Sequence, residues 1–241
     1  YTYFTIKIYS SLTNEFLEIF LMITNENLII YFMNKKKIIK CIALVAREHG
    51  MATLKEILEI DGYDIMAIFT HKLNPKVYDV DQKIRNDFIQ YEEFAKKNNI
   101  PLYTIDSKFE KKVLDSYISE NEFEFLISIS WRYLIPKSVF EKAKYGAINL
   151  HRGDLPKYAG IEPIKRALEN NEKEIAVCCH HITSNFDEGE VIFKDYHKTN
   201  YQNELSLEQN VVRLKKEITK YFPKLTIKTL EYLMETSENE S

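Results

Sequence analysis

Residues 38–70 read IIKCIALVAREHGMATLKEILEIDGYDIMAIFT, and the alternation inside them decides the fold class. Ile38–Ala46 is an apolar run of strand length. Leu54, Ile57 and Leu58 then recur at helical spacing across Met51–Ile60, and Tyr63–Thr70 returns to a second apolar run. A strand, a helix and a strand of these lengths imply a right-handed crossover between parallel neighbours. The alternation continues outward. Asp81–Asn98 places Ile84, Phe88, Tyr91, Phe94 and Ala95 on one stripe, predicting an amphipathic helix, and Pro101 introduces a short strand at Leu102–Ile105. A helix near Lys111–Ser119 precedes strands at Phe125–Ser130 and Ala147–His151. After a loop come a helix near Glu162–Asn170 and strands at Ile175–His181 and Val191–Tyr196. Ser206 and Gln209 make a capping box for a last long helix, lined by Leu207, Val211, Leu214 and Ile218. The expectation is an α/β domain: a doubly wound, mainly parallel sheet with helices on both faces. Ligands of such sheets collect outside the carboxyl ends of the strands, so the chemistry is sought there.

Composition narrows the class. With 241 residues and 45% hydrophobic content the chain can bury one sizeable core, and a net charge of -3 gives no global basic field for a nucleic acid. Cys41, Cys178 and Cys179 have no CxxC spacing, so neither a disulfide framework nor a zinc site is expected, and a reduced, cytoplasmic setting fits. Near the start, the apolar runs Phe16–Ile23 and Leu28–Phe32 are short, and polar residues interrupt them. They suit neither a secretory signal nor a membrane span. Met33, followed by Asn34 and three lysines, resembles a natural start. The expected organisation is therefore residues 1–32 as an extension outside the native protein, 33–236 as the catalytic domain and 237–241 as a polar tail. The alternative for 1–32 is an extra helix packed on the domain.

Asn149 and His151 stand two apart at the end of an apolar strand, which puts both side chains on one face at the ligand-binding rim. Polar groups there are costly unless partnered or functional. Alone, the pair also fits strand-end residues satisfied by backbone. Its surroundings add an irregular loop, Arg152-Gly-Asp-Leu-Pro-Lys-Tyr-Ala-Gly160, and a later turn, Asp187-Glu-Gly189, that leads into a strand at Val191. An Asp on such a turn serves the turn itself or orients a nearby imidazole.

The run Asn149-Leu-His-Arg-Gly-Asp-Leu-Pro-Lys-Tyr-Ala-Gly160 resembles the Asn-x-His…Leu-Pro-x-Tyr-x-Gly segment of the folate-dependent formyltransferases. Ala176-Val-Cys-Cys-His180 with Asp187-Glu-Gly189 and Val191-Ile192 is similar to that family's second block. Arg166–Asn170 and Glu217…Tyr221-Phe-Pro223 add to the likeness, which runs from about Ile38 to Leu230. Two departures stand out: Arg152-Gly153 where the family often has Pro-Ser, and Ala176 for a common Gly.

The resemblance implies a Rossmann-like formyltransferase fold without a C-terminal barrel, and transfer of a formyl group from 10-formyl-tetrahydrofolate to a primary amine without a metal. It implies Asn149 as donor to the developing oxyanion, His151 as proton acceptor and Asp187 as the group that orients the ring. It sets the pterin against Trp131, Arg132, Tyr133 and Leu134, with Ile182 and Thr183 closing the other side; capping of the sheet is the other role for the aromatic residues. His180 matches the family's second-block histidine, as a site residue or a structural one. Val45-Ala-Arg-Glu-His-Gly50 lacks a Gly-rich phosphate nest, which counts against glycinamide ribonucleotide. The chain's length counts against a tRNA acceptor, leaving an amino sugar on a nucleotide diphosphate, with Arg47, Arg152 and Lys157 as candidate phosphate partners. A formyltetrahydrofolate hydrolase and a non-catalytic binder are the alternatives. The expected partners are small molecules, not nucleic acid or membrane, and a homodimer is an admissible assembly.

Overall fold

A computed structural model describes residues 2–10, 15–23, 28–36 and 38–239, with side chains from Ile38 onward. The chain divides into two compact units, Tyr1–Ile39 and Lys40–Ser241. The first contains β1 (Thr2–Ser10), β2 (Glu15–Ile23) and β3 (Leu28–Lys36), paired antiparallel in that order. Strands therefore replace the helix considered for 1–32, and Met33 lies inside β3.

The second unit begins with β4 (Ile39–Val45), α1 (Arg47–Glu59), β5 (Tyr63–Thr70), α2 (Phe88–Lys97), β6 (Leu102–Thr104), α3 (Lys111–Glu120) and β7 (Phe125–Ile129). It continues through α4 (Lys137–Phe140), β8 (Gly146–His151), α5 (Pro163–Glu169), β9 (Glu174–His181), β10 (Val191–Lys198), α6 (Leu207–Glu217) and α7 (Tyr221–Asn239). The sheet order is β10-β9-β8-β7-β4-β5-β6. β4–β7, β7–β8 and β5–β6 pair parallel, whereas β9 runs antiparallel to both β8 and β10. This is the doubly wound, mainly parallel sheet that the alternation predicted.

Strand parity assigns the faces. Ile42, Leu44, Leu126 and Ala147 join one core cluster with Leu114 and Ile118 of α3 and Val139 of α4. On the opposite parity, a Cβ at Gly146 would lie 3.6 Å from Leu233, so α7 covers the other face.

Two helices differ from expectation. The helix read from Asp81 begins at Phe88, because Ile84 pairs with Leu73 as an isolated bridge and is 54% exposed. The Arg85 N–H binds the Lys72 carbonyl at 2.9 Å, closing residues 73–84 into an excursion. The last helix is split by a 3-10 turn at Ile218–Lys220. Pro223 then falls in the first turn of α7, where its missing N–H costs nothing, and α7 runs through the expected tail to Asn239. Among the described residues no helix is long and apolar enough to cross a membrane.

The capping box at α6 forms in both directions, with Gln209 N–H to Ser206 Oγ at 3.2 Å and Ser206 N–H to Gln209 Oε1 at 2.8 Å. Ser206→Ala should cost about 1 kcal/mol and lower the thermal midpoint by about 2–4 °C, measured by calorimetry.

Candidate active site

Along β7, Leu126 and Ser128 follow one face, with Ser130 just past the strand's end; along β8, Ala147, Asn149 and His151 follow the same face. Leu126 and Ala147 belong to the core, while the four residues beyond them line a cavity of about 570 Å³. Core becomes site within two residues, at the carboxyl ends where the sheet rule places ligands.

The structure brings Asn149, His151 and Asp187 together. His151 Nε2 lies 2.8 Å from the Tyr158 carbonyl oxygen, which can only accept, so Nε2 carries the proton. Nδ1 faces Asp187 Oδ2 at 3.3 Å, and both side chains are about a tenth exposed, at 10% and 12%. Burial pulls the imidazole below its ordinary pKa, although the Asp187 charge and the Tyr158 carbonyl oppose this. The neutral ring thus holds Nε2–H on Tyr158 and turns the Nδ1 lone pair toward the carboxylate, at a separation longer than a charge-assisted hydrogen bond. Burial alone would raise the Asp187 carboxyl, but contacts with His180, His151 and the Gly160 N–H at 2.9 Å hold it below the usual carboxylate value.

His180 completes the group. Its Nδ1–H donates to the His181 carbonyl at 2.8 Å, leaving Nε2 to accept from Asn149 Nδ2 at 3.0 Å. Among the described residues, the second amide hydrogen of Asn149 has only Asp187 Oδ1, at 3.5 Å.

Trp131, Tyr133, Leu134, Ile182 and Thr183 all line this cavity. Trp131 stacks on His71 with ring centroids 4.4 Å apart, and its buried Nε1 has no partner among the described residues. Arg132 lines the cavity too, while its guanidinium bonds the Leu73 carbonyl and lies 3.8 Å from Asp106. His71 was not singled out by the sequence, yet it anchors this loop. Its Nδ1 binds the Ile105 carbonyl at 2.5 Å, and its Nε2 accepts the Arg132 backbone N–H at 3.2 Å. Its position directly after the apolar run of β5 was the available signal.

A second cavity of about 1040 Å³ adjoins the first and shares His49, Tyr78, Ser130, Arg132 and Arg152 with it. Arg47, Arg152 and Lys215 face it. The side chains of Arg152 and Lys215 make no hydrogen bond or ion pair with the described residues, and Arg47 reaches Asp87 only at 3.9 Å. Burial, then the charge of Arg47, brings Arg152 down to about 10, still charged at neutral pH. Lys157 lies outside both cavities because Glu172 holds its ammonium. His49 and Ser130, also unanticipated, meet at 2.7 Å. Arg47, Ser130, Glu162 and Asp187, all on the cavity walls, have φ of 69°, 57°, 50° and 55°. Such left-handed backbone collects at ligand clamps and reactive sites. Among the described residues no group of three or more His, Cys, Asp or Glu is arranged to hold a metal.

A family model described as formyl transferase matches residues 42–226, and the chain belongs to this formyl transferase family. A methionyl-tRNA formyltransferase of Orientia tsutsugamushi is 30% identical over 197 residues, covering 80% of this chain and 59% of that protein. The one from Rickettsia canadensis is 26% identical, over 65% of this chain and 49% of its own length. The chain thus spans between half and three fifths of these curated relatives. Among solved structures, a formyltetrahydrofolate deformylase from Pseudomonas syringae superposes with a TM-score of 0.62 at 19% identity, over 85% of this chain and 65% of that one. A phosphoribosylglycinamide formyltransferase from Anaplasma phagocytophilum gives 0.61 at 14% identity, over 81% and 88%. These two structures establish likeness of fold alone.

His71 generates a pH prediction. Burial, reinforced by the Arg132 charge, takes its pKa down to about 3, whereas the unfolded chain takes up this proton below about 6.5. The unfolded state therefore binds more protons in that window. His71's contribution is complete above about pH 6.5 and is lost as pH falls toward 3, at up to about 1.4 kcal/mol per pH unit. Urea titrations at pH 7 and pH 5 should find wild type losing about 2 kcal/mol more than His71→Gln.

Proposed function

We propose that this chain transfers a formyl group from 10-formyl-tetrahydrofolate to a primary amine, with Asn149, His151 and Asp187 as its catalytic residues. The observation that carries the reading is the His151 ring, fixed between the Tyr158 carbonyl and the Asp187 carboxylate, with the Asn149 amide on the same strand face. The smaller cavity suits the co-substrate: Trp131, Tyr133, Leu134 and Ile182 offer apolar walls for a flat heterocycle, and the buried Trp131 Nε1 lacks a partner among the described residues.

The co-substrate supplies a formyl carbon bonded to its N10 nitrogen. The amine nitrogen bonds to that carbon, the carbon–N10 bond breaks, and the proton the amine sheds is balanced by one gained at N10. Asn149 meets the developing negative oxygen with the amide hydrogen held only weakly by Asp187, worth about 3–4 kcal/mol for a well-placed donor. His151 accepts the amine proton at Nδ1, the nitrogen that Tyr158 leaves free, and Asp187 stabilises the imidazolium that results. His180 keeps the Asn149 amide oriented.

The adjoining cleft, with Arg47, Arg152 and Lys215, suits an acceptor that carries phosphate near its amine. The lack of a Gly-rich nest before α1 favours an amino sugar on a nucleotide diphosphate. The naming of the curated relatives favours a second acceptor, methionyl-tRNA, which also presents a primary amine close to phosphates.

Tetrahydrofolate release should be measured with 10-formyl-tetrahydrofolate alone, with methionyl-tRNA, and with a panel of dTDP-linked amino sugars. Release that depends on an amine is the expected outcome; release with water alone identifies a hydrolase, and none at all overturns the reading. Asp187→Asn should lower kcat by about 10²–10⁴-fold with little change in binding of either substrate. Arg152→Ala should raise KM for the acceptor about tenfold, as for loss of a charge-assisted hydrogen bond, and KM for 10-formyl-tetrahydrofolate by less.

A further inference from the structure

Ser128 is 2% exposed, yet its residue forms part of the cavity wall and its hydroxyl makes no hydrogen bond with the described residues. Ser128 Oγ is not among the fully enclosed side-chain atoms that lack a partner, so the hydroxyl is read as facing the cavity, open to a ligand there. Register shows which part of the site it adjoins. Asn149 is flanked by His180 on β9 and by Ser128 on parallel β7. Neighbouring strands lie about 4.8 Å apart, and Ser128 and Asn149 project from the same face. One amide hydrogen of Asn149 is drawn toward β9 by His180 at 3.0 Å. On the β7 side Asn149 has Ser128 as its register partner, whose hydroxyl makes no hydrogen bond with the described residues.

We propose that Ser128 is a further catalytic residue, whose hydroxyl donates a hydrogen bond to the formyl oxygen as that oxygen gains charge. The proposal rests on the formyl-transfer reading. Asn149 supplies one donor from the β8 side, and a developing oxyanion has lone pairs for another. Ser128 supplies it from the β7 side, on the wall of the same cavity. Because the hydroxyl has no structural partner to lose, its function and its contribution to stability separate cleanly.

The test uses the full chain with 10-formyl-tetrahydrofolate and whichever of methionyl-tRNA or the dTDP-linked amino sugars supports turnover. Ser128→Ala should lower kcat by about 10²-fold and change KM for 10-formyl-tetrahydrofolate little. Its thermal midpoint should equal or exceed that of wild type. Ser128→Thr and Ser128→Val have matched volume and differ by the hydroxyl, so only the former should retain a substantial part of the rate. Full kcat in Ser128→Ala, or equal rates in the Thr and Val variants, overturns the proposal. Wild type that releases no tetrahydrofolate with any acceptor overturns the formyl-transfer reading, and the role of Ser128 with it. Wild-type turnover beside an unaffected Ser128→Ala removes the role of Ser128 alone.

Discussion

One hydrogen bond, from His151 Nε2–H to the Tyr158 carbonyl at 2.8 Å, fixes the tautomer on which the rest of the site depends. With that proton committed, the basic lone pair must face Asp187. The carbonyl is held in turn: the Tyr158 hydroxyl bonds Glu172 at 2.7 Å, and its backbone N–H bonds the Asp154 carbonyl at 2.8 Å. Lys194 reaches from β10 to Asp154 and the Leu155 carbonyl, each at 2.6 Å, and so braces the whole loop. Gly153 makes the approach possible, since a Cβ there would lie 2.7 Å from the Tyr158 oxygen and 2.8 Å from His151 Nε2. The Arg152-Gly153 departure from the family's usual Pro-Ser thus has a steric consequence at the ring itself.

A second backbone carbonyl does the same for the other histidine. The His181 oxygen takes the Nδ1–H of His180, which leaves Nε2 as the acceptor that orients Asn149. Gly189 packs directly on that carbonyl; a Cβ would come within 1.7 Å of it. Two residues earlier, Asp187 adopts φ of 55°, a conformation that Asp tolerates better than most residues. The Asp-x-Gly turn therefore performs two tasks with one backbone path. It directs a carboxylate at His151 and allows the close approach that fixes His180.

Asn149 and His151 were legible from period two and the strand-end rule, because both demands are local. Asp187 was legible only through resemblance, since nothing in a turn of that composition says which imidazole it will meet. The doubly wound sheet followed from the alternation of strand and helix patterns. The start of α2 did not, because Ile84 keeps the helical stripe while its backbone pairs with Leu73. Ser128 lies on, and Ser130 just past, a strand that reads as continuous core. His71 and His49 escaped for a different reason: their partners are remote, 61 positions away in Arg132 and 81 in Ser130. Lys157 was misplaced because loop sequence gives no direction to a side chain, and Glu172 captures it outside the cleft. The β1–β3 pairing likewise depends on register between segments that reads as nothing more than short apolar runs.

The charges of the adjoining cleft define what the His49–Ser130 pair can do. A serine hydroxyl 2.7 Å from an imidazole has the outline of a nucleophile and its base. Such a base must take on a proton. Burial pulls the His49 pKa well below its ordinary value, and the charges of Arg152, Arg47, Lys215 and Arg85 act in the same direction. An imidazolium at that position would add another positive charge to a cluster of four cations in which, among the described residues, Asp87 alone forms ion pairs, with Arg85 at 3.2 Å and Arg47 at 3.9 Å. His49 is accordingly a neutral hydrogen-bonding residue, packed against Phe222 with ring centroids 4.5 Å apart and the planes tilted by 47°. The same field that denies it a proton favours an anion in the cleft. Of the two histidines it is His151, on β8, that faces a carboxylate, with Asp187 Oδ2 at 3.3 Å, while the charges on the α1 side favour an anion.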